Sequence, residues 1–274
     1  MSIESLPNSS DQNVHMTPDP VSTRTAPGQP TETAARANAC LTAKVVVCLA
    51  TKNECESIQP MIAQVRQLGL DVFVCDEQSS DGTSALAQAC GVQVYQRRGR
   101  GRGCGVREGI HIAKDLGYQV IVFIDCDQTY PTAAIPELLR QLTGADMVIG
   151  VRPMSAIAWS HRLVNVLHTG LINRLFGVHL HDINSSLRAL RVDRVVSLLD
   201  AENFDIEAQM TTRAIRSGLK IIEIPIQFSK RVGQSKIRAW HTYTIVARII
   251  REYLSWRQAP QEYRADVPSA QLTP

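Results

Sequence analysis

Three short apolar runs, each closing on polar or acidic residues, constrain this chain more than any other feature. Val45–Ala50 runs into Asn53-Glu54, Asp71–Cys75 into Asp76-Glu77, and Gln119–Ile124 into Asp125-Cys126-Asp127. Runs this short and this apolar read as strands buried on both faces. Between the first two, Ile58, Met61, Ile62, Val65 and Leu68 recur at helical spacing before Gly69. Thr83–Cys90 reads as a helix closed by Gly91, Val92–Tyr95 as a third strand, and Val106–Leu116 as a helix. Strands alternating with helices predict an α/β fold: a mainly parallel central sheet flanked by helices, a Rossmann-like three-layer sandwich. Ligands of such sheets bind beyond the carboxyl ends of the strands, so the polar residues after each run are the first site candidates.

The second half continues with a strand over Ala145–Gly150 that ends in Val151-Arg152, and a helix over Trp159–Phe176. A polar loop, His181–Arg188, precedes helices near Val192–Leu199 and Glu207–Ser217. Ile221–Phe228 alternates around Pro225 and suits an edge strand. Ser229–Lys236 is a basic loop, and Ala239–Trp256 a last helix with the stripe Tyr243, Val246, Ala247, Ile250, Tyr253 and Leu254. Residues 1–42 hold five of the thirteen prolines and few large apolar side chains, so disorder is expected there. The expected layout is therefore a globular domain over 43–236, an amphipathic helix over 237–258 and a flexible tail over 259–274.

Composition narrows the class. A length of 274 residues with 44% apolar content suits one substantial core. A net charge of +3 is too mild to argue for nucleic acid. Seven cysteines, an odd number without a C-x-x-C pair, point to a reduced cytoplasmic protein. No apolar run approaches the roughly 18 residues of a membrane span. No apolar segment precedes Arg24, the first basic residue, so no secretory signal is expected.

Asp125 and Asp127 flank one residue at a strand end, and extended residues two apart share a side. Two carboxylates so placed repel unless a cation joins them. A hard divalent ion with oxygen ligands is the natural partner, and Mg²⁺ commonly brings substrate phosphates as further ligands.

The surrounding motifs resemble glycosyltransferase family 2, and within it the dolichyl-phosphate mannosyltransferase-like, polyprenyl-phosphate group. Val47–Glu54 resembles that family's first strand and Asn-Glu loop. Val74-Cys75-Asp76-Glu77-Gln78-Ser79-Ser80-Asp81-Gly82-Thr83 resembles V-x-D-D-x-S-x-D-G-T, and Gly101–Gly109 resembles G-x-G-x-A-x-R-x-G. Asp125-Cys126-Asp127 with Tyr130-Pro131 resembles its metal motif, and Gly150-Val151-Arg152 its G-S-R. Asp182–Arg188 resembles D-x-x-S-G-hydrophobic-R, and Arg231–Lys236 the closing R-x-G-x-S-K. The resemblance covers about Val45 to Trp256. Departures are Ala50 and Lys52 in the first loop, Glu77 and Gln78 in the second, Thr129 where a third metal ligand often stands, and Ser186 for Gly.

The resemblance implies a GT-A fold and inverting transfer of a hexose from a UDP- or GDP-sugar to an acceptor, a polyprenyl phosphate before a soluble small molecule. It implies donor contacts from Ala50, Lys52, Asn53, Glu54, Asp76, Asp81, Gly103, Arg107, Asp125, Cys126 and Asp127. It gives the metal, Mg²⁺ or Mn²⁺, to Asp125 and Asp127, and phosphate or acceptor contacts to Arg152, Asp182, Arg188, Arg231, Ser235 and Lys236. Asp125, Asp127, Arg152 and Glu207 are the catalytic candidates.

Some residues keep two readings. Glu207 is either a helix N-terminal acid or a general base. The arginines at 97, 98, 100, 102 and 107 make either a solvated loop or a lid or anionic-acceptor contact. The basic last helix, with Trp240, Tyr243, Tyr253 and Trp256, either packs on the domain or lies at the cytosolic membrane face. His161, His168, His179, His181 and His241 show no metal spacing and read as core or surface. Rival activities are a nucleotidyltransferase and a non-catalytic sugar-nucleotide-binding protein.

Overall fold

The computed structural model describes residues 43–229, 240–259 and 271–272. Arg231, Ser235 and Lys236 lie outside the described residues. The strands are β1 (Val45–Thr51), β2 (Asp71–Asp76), β3 (Gln93–Gln96), β4 (Val120–Phe123), β5 (Met147–Val151), β6 (Arg188–Arg191), β7 (Ile221–Pro225) and β8 (Gln271–Leu272). They form one sheet in the order β3-β2-β1-β4-β6-β5-β7-β8. β6 alone pairs antiparallel, with β4 on one side and β5 on the other.

The helices are α1 (Ile58–Gln67), α2 (Thr83–Ala89), α3 (Arg102–Asp115), α4 (Ile135–Leu142), α5 (Trp159–Phe176), α6 (Val192–Val195), α7 (Ile206–Arg216) and α8 (Trp240–Gln258). Alternation within β1 shows how they are layered. Val47 and Leu49 pack with Ile58, Met61 and Ile62 of α1 and Leu138 of α4. Val46 and Cys48 pack on the opposite face with Ile110 of α3, Ile172 of α5, Met210 of α7 and Ile249 of α8. Both faces are buried at Val46–Leu49, so those successive β1 residues are all apolar.

Several expectations change. α3 begins at Arg102 and not near Val106, inside the expected Gly-rich loop. Gly101 makes the entry with φ +93°, and a Cβ on Gly103 would sit 2.4 Å from the Ala201 carbonyl oxygen. No element is assigned by pattern between Pro131 and Ala145, where α4 stands. The expected loop up to Arg188 gives way at that residue to β6, whose four residues are too short for a pattern to declare. α6 is a single turn. β7 is not an edge: Gln271–Leu272, in the expected tail, pairs with it in parallel. α8 buries His241, Ile245, Ile249 and Glu252, while Tyr243, Ile250 and Leu254 of the expected core stripe face outward. Glu252 explains the rotation. Arg213, Arg216 and Arg248 all pair with it, which turns that charged face inward.

Candidate active site

The carboxyl ends of β1, β2, β4 and β5 lie on one side of the sheet and deliver the residues that follow them to a cavity of about 640 Å³. Ala50 to Glu54 come from the end of β1 and the loop beyond it, Glu77 follows β2, Asp125 to Asp127 follow β4, and Arg152 follows β5. β6 runs the other way, so it contributes the loop before it, through Asn184 and Ser186. α5 and the first turns of α7 and α8 close the opposite wall.

The first wall is a network of short polar contacts. Thr51 and Asp76 are register partners at the ends of β1 and β2, and the Thr51 hydroxyl donates to Asp76 Oδ1 at 2.8 Å. Asp76 also accepts from the Ser79 amide and hydroxyl and from the Ser84 hydroxyl. Burial pushes its carboxyl up, but these donors outweigh that and hold it below the ordinary range. Asn53, at φ +53°, links the two loops: its amide donates to Ser79 Oγ, and its Oδ1 accepts from the Ser80 amide. Glu77 joins Lys52 Nζ at 2.5 Å, Arg97 Nη2 at 2.7 Å and the Gly101 amide at 2.8 Å. Burial raises its pKa, and these partners bring it below its usual value.

Asp125 and Asp127 lie past the end of β4, with a turn at Cys126-Asp127, and not within the strand. Asp125 Oδ1 accepts from Arg102 Nη1 at 2.7 Å, and Arg102 Nε donates to Glu207. One guanidinium therefore sits between two carboxylates. Burial alone would lower the Arg102 pKa; Asp125 and Glu207 reverse that and raise it. Asp127 is 2% exposed, and its Oδ1 accepts from the amide and hydroxyl of Thr129. Cys126 turns into the core beside Ser57, and burial pushes its thiol up to about 12, so it is no nucleophile at neutral pH.

On the other wall, Arg152 makes a two-pronged pair with the fully buried Asp182, at 2.7 and 2.8 Å, and its guanidinium carbon lies 5.5 Å from the Phe228 ring centre. Asn184 Nδ2 donates to Asn165 Oδ1 at 2.7 Å, and Asn184 also contacts His168 Nδ1. Burial lowers the His168 pKa, which favours the neutral ring.

A family profile, glycosyl transferase family 2, matches residues 46–195, more than half of the chain. The chain belongs to that family. This glycosyltransferase is 30% identical over 212 residues to the undecaprenyl-phosphate mannosyltransferase of Micrococcus luteus, covering 71% of this chain and 87% of the relative. It is 29% identical over 199 residues to the dolichyl-phosphate hexose transferase of Haloferax volcanii, covering 70% and 86%. Among solved structures, glucosyl-3-phosphoglycerate synthase of Mycobacterium tuberculosis, in complex with Mn²⁺, UDP-glucose and phosphoglyceric acid, aligns with a TM-score of 0.67. That match has 19% identity and covers 84% of this chain and 86% of that one. The fold is GT-A, as the sequence motifs imply.

The glycosyltransferase cavity gathers Ala50, Lys52, Asn53, Glu54, Asp125, Cys126, Asp127, Arg152 and Glu207 from the expected set. It leaves out six others, each with a physical reason. Asp76 is fully buried, and its two oxygens already accept four hydrogen bonds, which leaves no acceptor direction for a base or ribose. Asp81 accepts from the Thr83 amide and hydroxyl and from the Cys55 amide, so it ties the α2 start to the β1 loop. Gly103 is pressed against Ala201. Arg107 donates to the Asp200 carbonyl. Asp182 has no exposed surface and serves Arg152. Arg188 is 1% exposed and donates to the Ser185 and Ile183 carbonyls and to Thr211, a core strut with no face for a phosphate.

Sequence reasoning had Glu77 only as a strand-end candidate and Arg97 only within the basic loop, and it read the three cavity-wall histidines, His161, His168 and His241, as core or surface. His161, Asn165 and His168 stand at i, i+4 and i+7 on α5, a same-face spacing that was available as a signal. Arg102 was in view only as part of a basic loop.

Proposed function

We propose that this glycosyltransferase moves a hexose from a nucleoside-diphosphate sugar to a polyprenyl phosphate at the cytosolic membrane face, with inversion and a divalent ion. One observation carries the reading: a single cavity joins a carboxylate-lined wall, with Asp125 and Asp127, to a second wall of Arg152, histidines and apolar side chains such as Ile157, Val164 and Ile245. The named activities of the relatives in Micrococcus luteus and Haloferax volcanii, both on polyprenyl-type phosphates, support the acceptor class.

Two carboxylates fit an ion that arrives with its nucleotide. Among the described residues no group of three or more His, Cys, Asp or Glu is arranged to hold a metal alone. Mg²⁺ commonly takes one or two carboxylates and completes its shell with phosphates and water. Mn²⁺ in the aligned synthase supports a divalent ion of this kind. When bound, the ion supplies positive charge for the departing diphosphate.

The chain's own residues orient and balance charge. Lys52, Asn53 and Glu54 face the nucleoside end of the donor. Arg152, fixed by Asp182, presents a planar cation to a phosphate. Phosphate oxygen attacks the anomeric carbon, that carbon's bond to the donor diphosphate breaks, and the diphosphate leaves from the opposite side. The acceptor is already ionised, so no general base is needed; Glu207 holds Arg102 in place instead.

The test is transfer of labelled hexose from UDP- and GDP-sugars, with Mg²⁺ or Mn²⁺, to polyprenyl phosphate in detergent micelles. Label in the organic extract is the expected result. A second reading, a small phosphorylated acceptor, is favoured by the phosphoglyceric acid in the aligned synthase. Label found only in a water-soluble phosphosugar product would select it. No transfer to either acceptor from any donor rejects both.

A further inference from the structure

The chain brings its own cation to the strand-end acids. Arg102 donates through Nη1 to Asp125 Oδ1 at 2.7 Å and through Nε to Glu207. One positive charge therefore serves two carboxylates, and one of the two is the acid expected to hold the divalent ion. The carboxylates are not equivalent. Asp125 keeps 25% of its side-chain surface exposed and Glu207 9%, so Asp125 is the more open to the cavity. Nε lies nearer the main chain than Nη1, so the guanidinium can stay hinged on Glu207 while its outer end changes partner.

The main chain around Arg102 is held from both sides. The Gly101 amide donates to Glu77 Oε2 at 2.8 Å, the Gly101 carbonyl accepts from Arg97 Nη1 at 2.6 Å, and the Cys104 amide donates to the Glu202 carbonyl at 3.1 Å. A change of partner is then a side-chain rotation, with no movement of α3. Among the described residues the guanidinium uses only Nε and Nη1, so donors remain for phosphate oxygens in the forked geometry that arginine favours. Asp127 gives a divalent ion little alternative, since its Oδ1 already accepts two hydrogen bonds from Thr129. With Arg102 on Asp125, an incoming ion meets a neutralised carboxylate and a like charge beside it. A diphosphate changes the balance, because it offers Arg102 more negative charge than one carboxylate does.

We propose that Arg102 makes binding of the divalent ion conditional on the donor nucleotide. Without nucleotide, Arg102 holds Asp125 and keeps the ion out. When the donor diphosphate arrives, the outer end of the guanidinium passes to its oxygens, Nε stays on Glu207, and Asp125 is released to the ion. Glu207 is the hinge of this exchange. The inference rests on the nucleoside-diphosphate reading of the cavity, and its test separates the two.

Mn²⁺ binding to the full chain is followed by loss of the free-ion electron paramagnetic signal, with and without UDP or GDP. Thermal stabilisation reports nucleotide binding itself. In the unchanged chain, nucleotide should tighten Mn²⁺ by about 100-fold. Part of that coupling comes from phosphate oxygens that ligate the ion directly, so variants decide. Arg102→Met should tighten Mn²⁺ about tenfold without nucleotide and not at all with it, so that the coupling falls to about tenfold. Arg102→Lys keeps the charge but loses the planar fork, and should fall between the two. Equal tightening by Arg102→Met with and without nucleotide would be simple removal of a charge, and overturns the inference. So does the absence of tightening in both variants. Nucleotide that stabilises the unchanged chain but leaves its Mn²⁺ affinity unaltered also sinks this inference, and leaves the donor reading standing. If neither UDP nor GDP stabilises the chain, the donor reading falls and the exchange with it.

Discussion

On the wall formed by β1, β2 and β4, charged side chains answer one another: Lys52 to Glu77, Glu77 to Arg97, and Arg102 to Asp125 and, across to the start of α7, to Glu207. The wall formed by α5, α8 and the loop before β6 is softer in chemistry. Among the described residues it offers Ile157, Val164 and Ile245, amides and imidazoles, and one cation, Arg152, fixed from behind by Asp182. The difference matches two tasks. A diphosphate with its ion needs dense, preorganised charge, whereas a long apolar acceptor needs room beside one well-aimed cation.

The largest effect that would break this comparison lies on the charged wall. Asp125→Asn should lower kcat/KM by about 10³-fold, with little change in folding, because charge stabilisation at the leaving group is lost. Steady-state kinetics with a matched melting curve check it; a change under about threefold would remove Asp125 from the reaction. Next, Asp182→Ala should cost about 3–5 kcal/mol by denaturant unfolding, since Arg152 loses its buried partner. That would show the softer wall to depend on a single ion pair.

A smaller effect sharpens the division. Val164→Trp, which fills the cavity beneath α5, should raise the acceptor KM about tenfold and leave thermal stabilisation by nucleotide unchanged. Loss of both would mean that the walls are one site. Arg102→Met should tighten Mn²⁺ binding in the absence of nucleotide, about tenfold by electron paramagnetic titration, because Asp125 and Glu207 lose the cation between them. The smallest effect is acid stability. Against burial, which raises both, hydrogen bonds from Thr83 and Cys55 hold Asp81 at about 2, and Gln209, Arg213 and Arg248 hold Asp200 at about 2, below the ordinary 3.8. Their contribution is complete above pH 3.8 and is lost as pH falls through about 2, so melting temperature should decline across that window.

Much of the first wall was legible. Short apolar strands announce a sheet covered on both faces, and the polar residues at their carboxyl ends brought Asn53, Glu54, Asp125 and Asp127 into view. The same rule hid the second wall. β6 is antiparallel, so the loop that reaches the site comes before its strand, and Asn184 and Ser186 stand where the rule does not look. Asp76 and Arg188 sit in motifs that suggest ligand contact, yet their hydrogen bonds are spent inside the protein.

α8 gives the plainest case of what pattern cannot decide. Its periodicity supports two stripes, one through Tyr243, Ile250 and Leu254 and one through His241, Ile245, Ile249 and Glu252. Hydrophobicity favours the first. The structure buries the second, because Arg213, Arg216 and Arg248 converge on Glu252 from two helices, a condition no single segment encodes. The sequence by itself determined the layered sheet, the family and the strand-end acids, since these follow from local periodicity and contiguous motifs. Tertiary structure alone decided which charges were already paired and which apolar stripe faced out, since both depend on partners far apart along the chain.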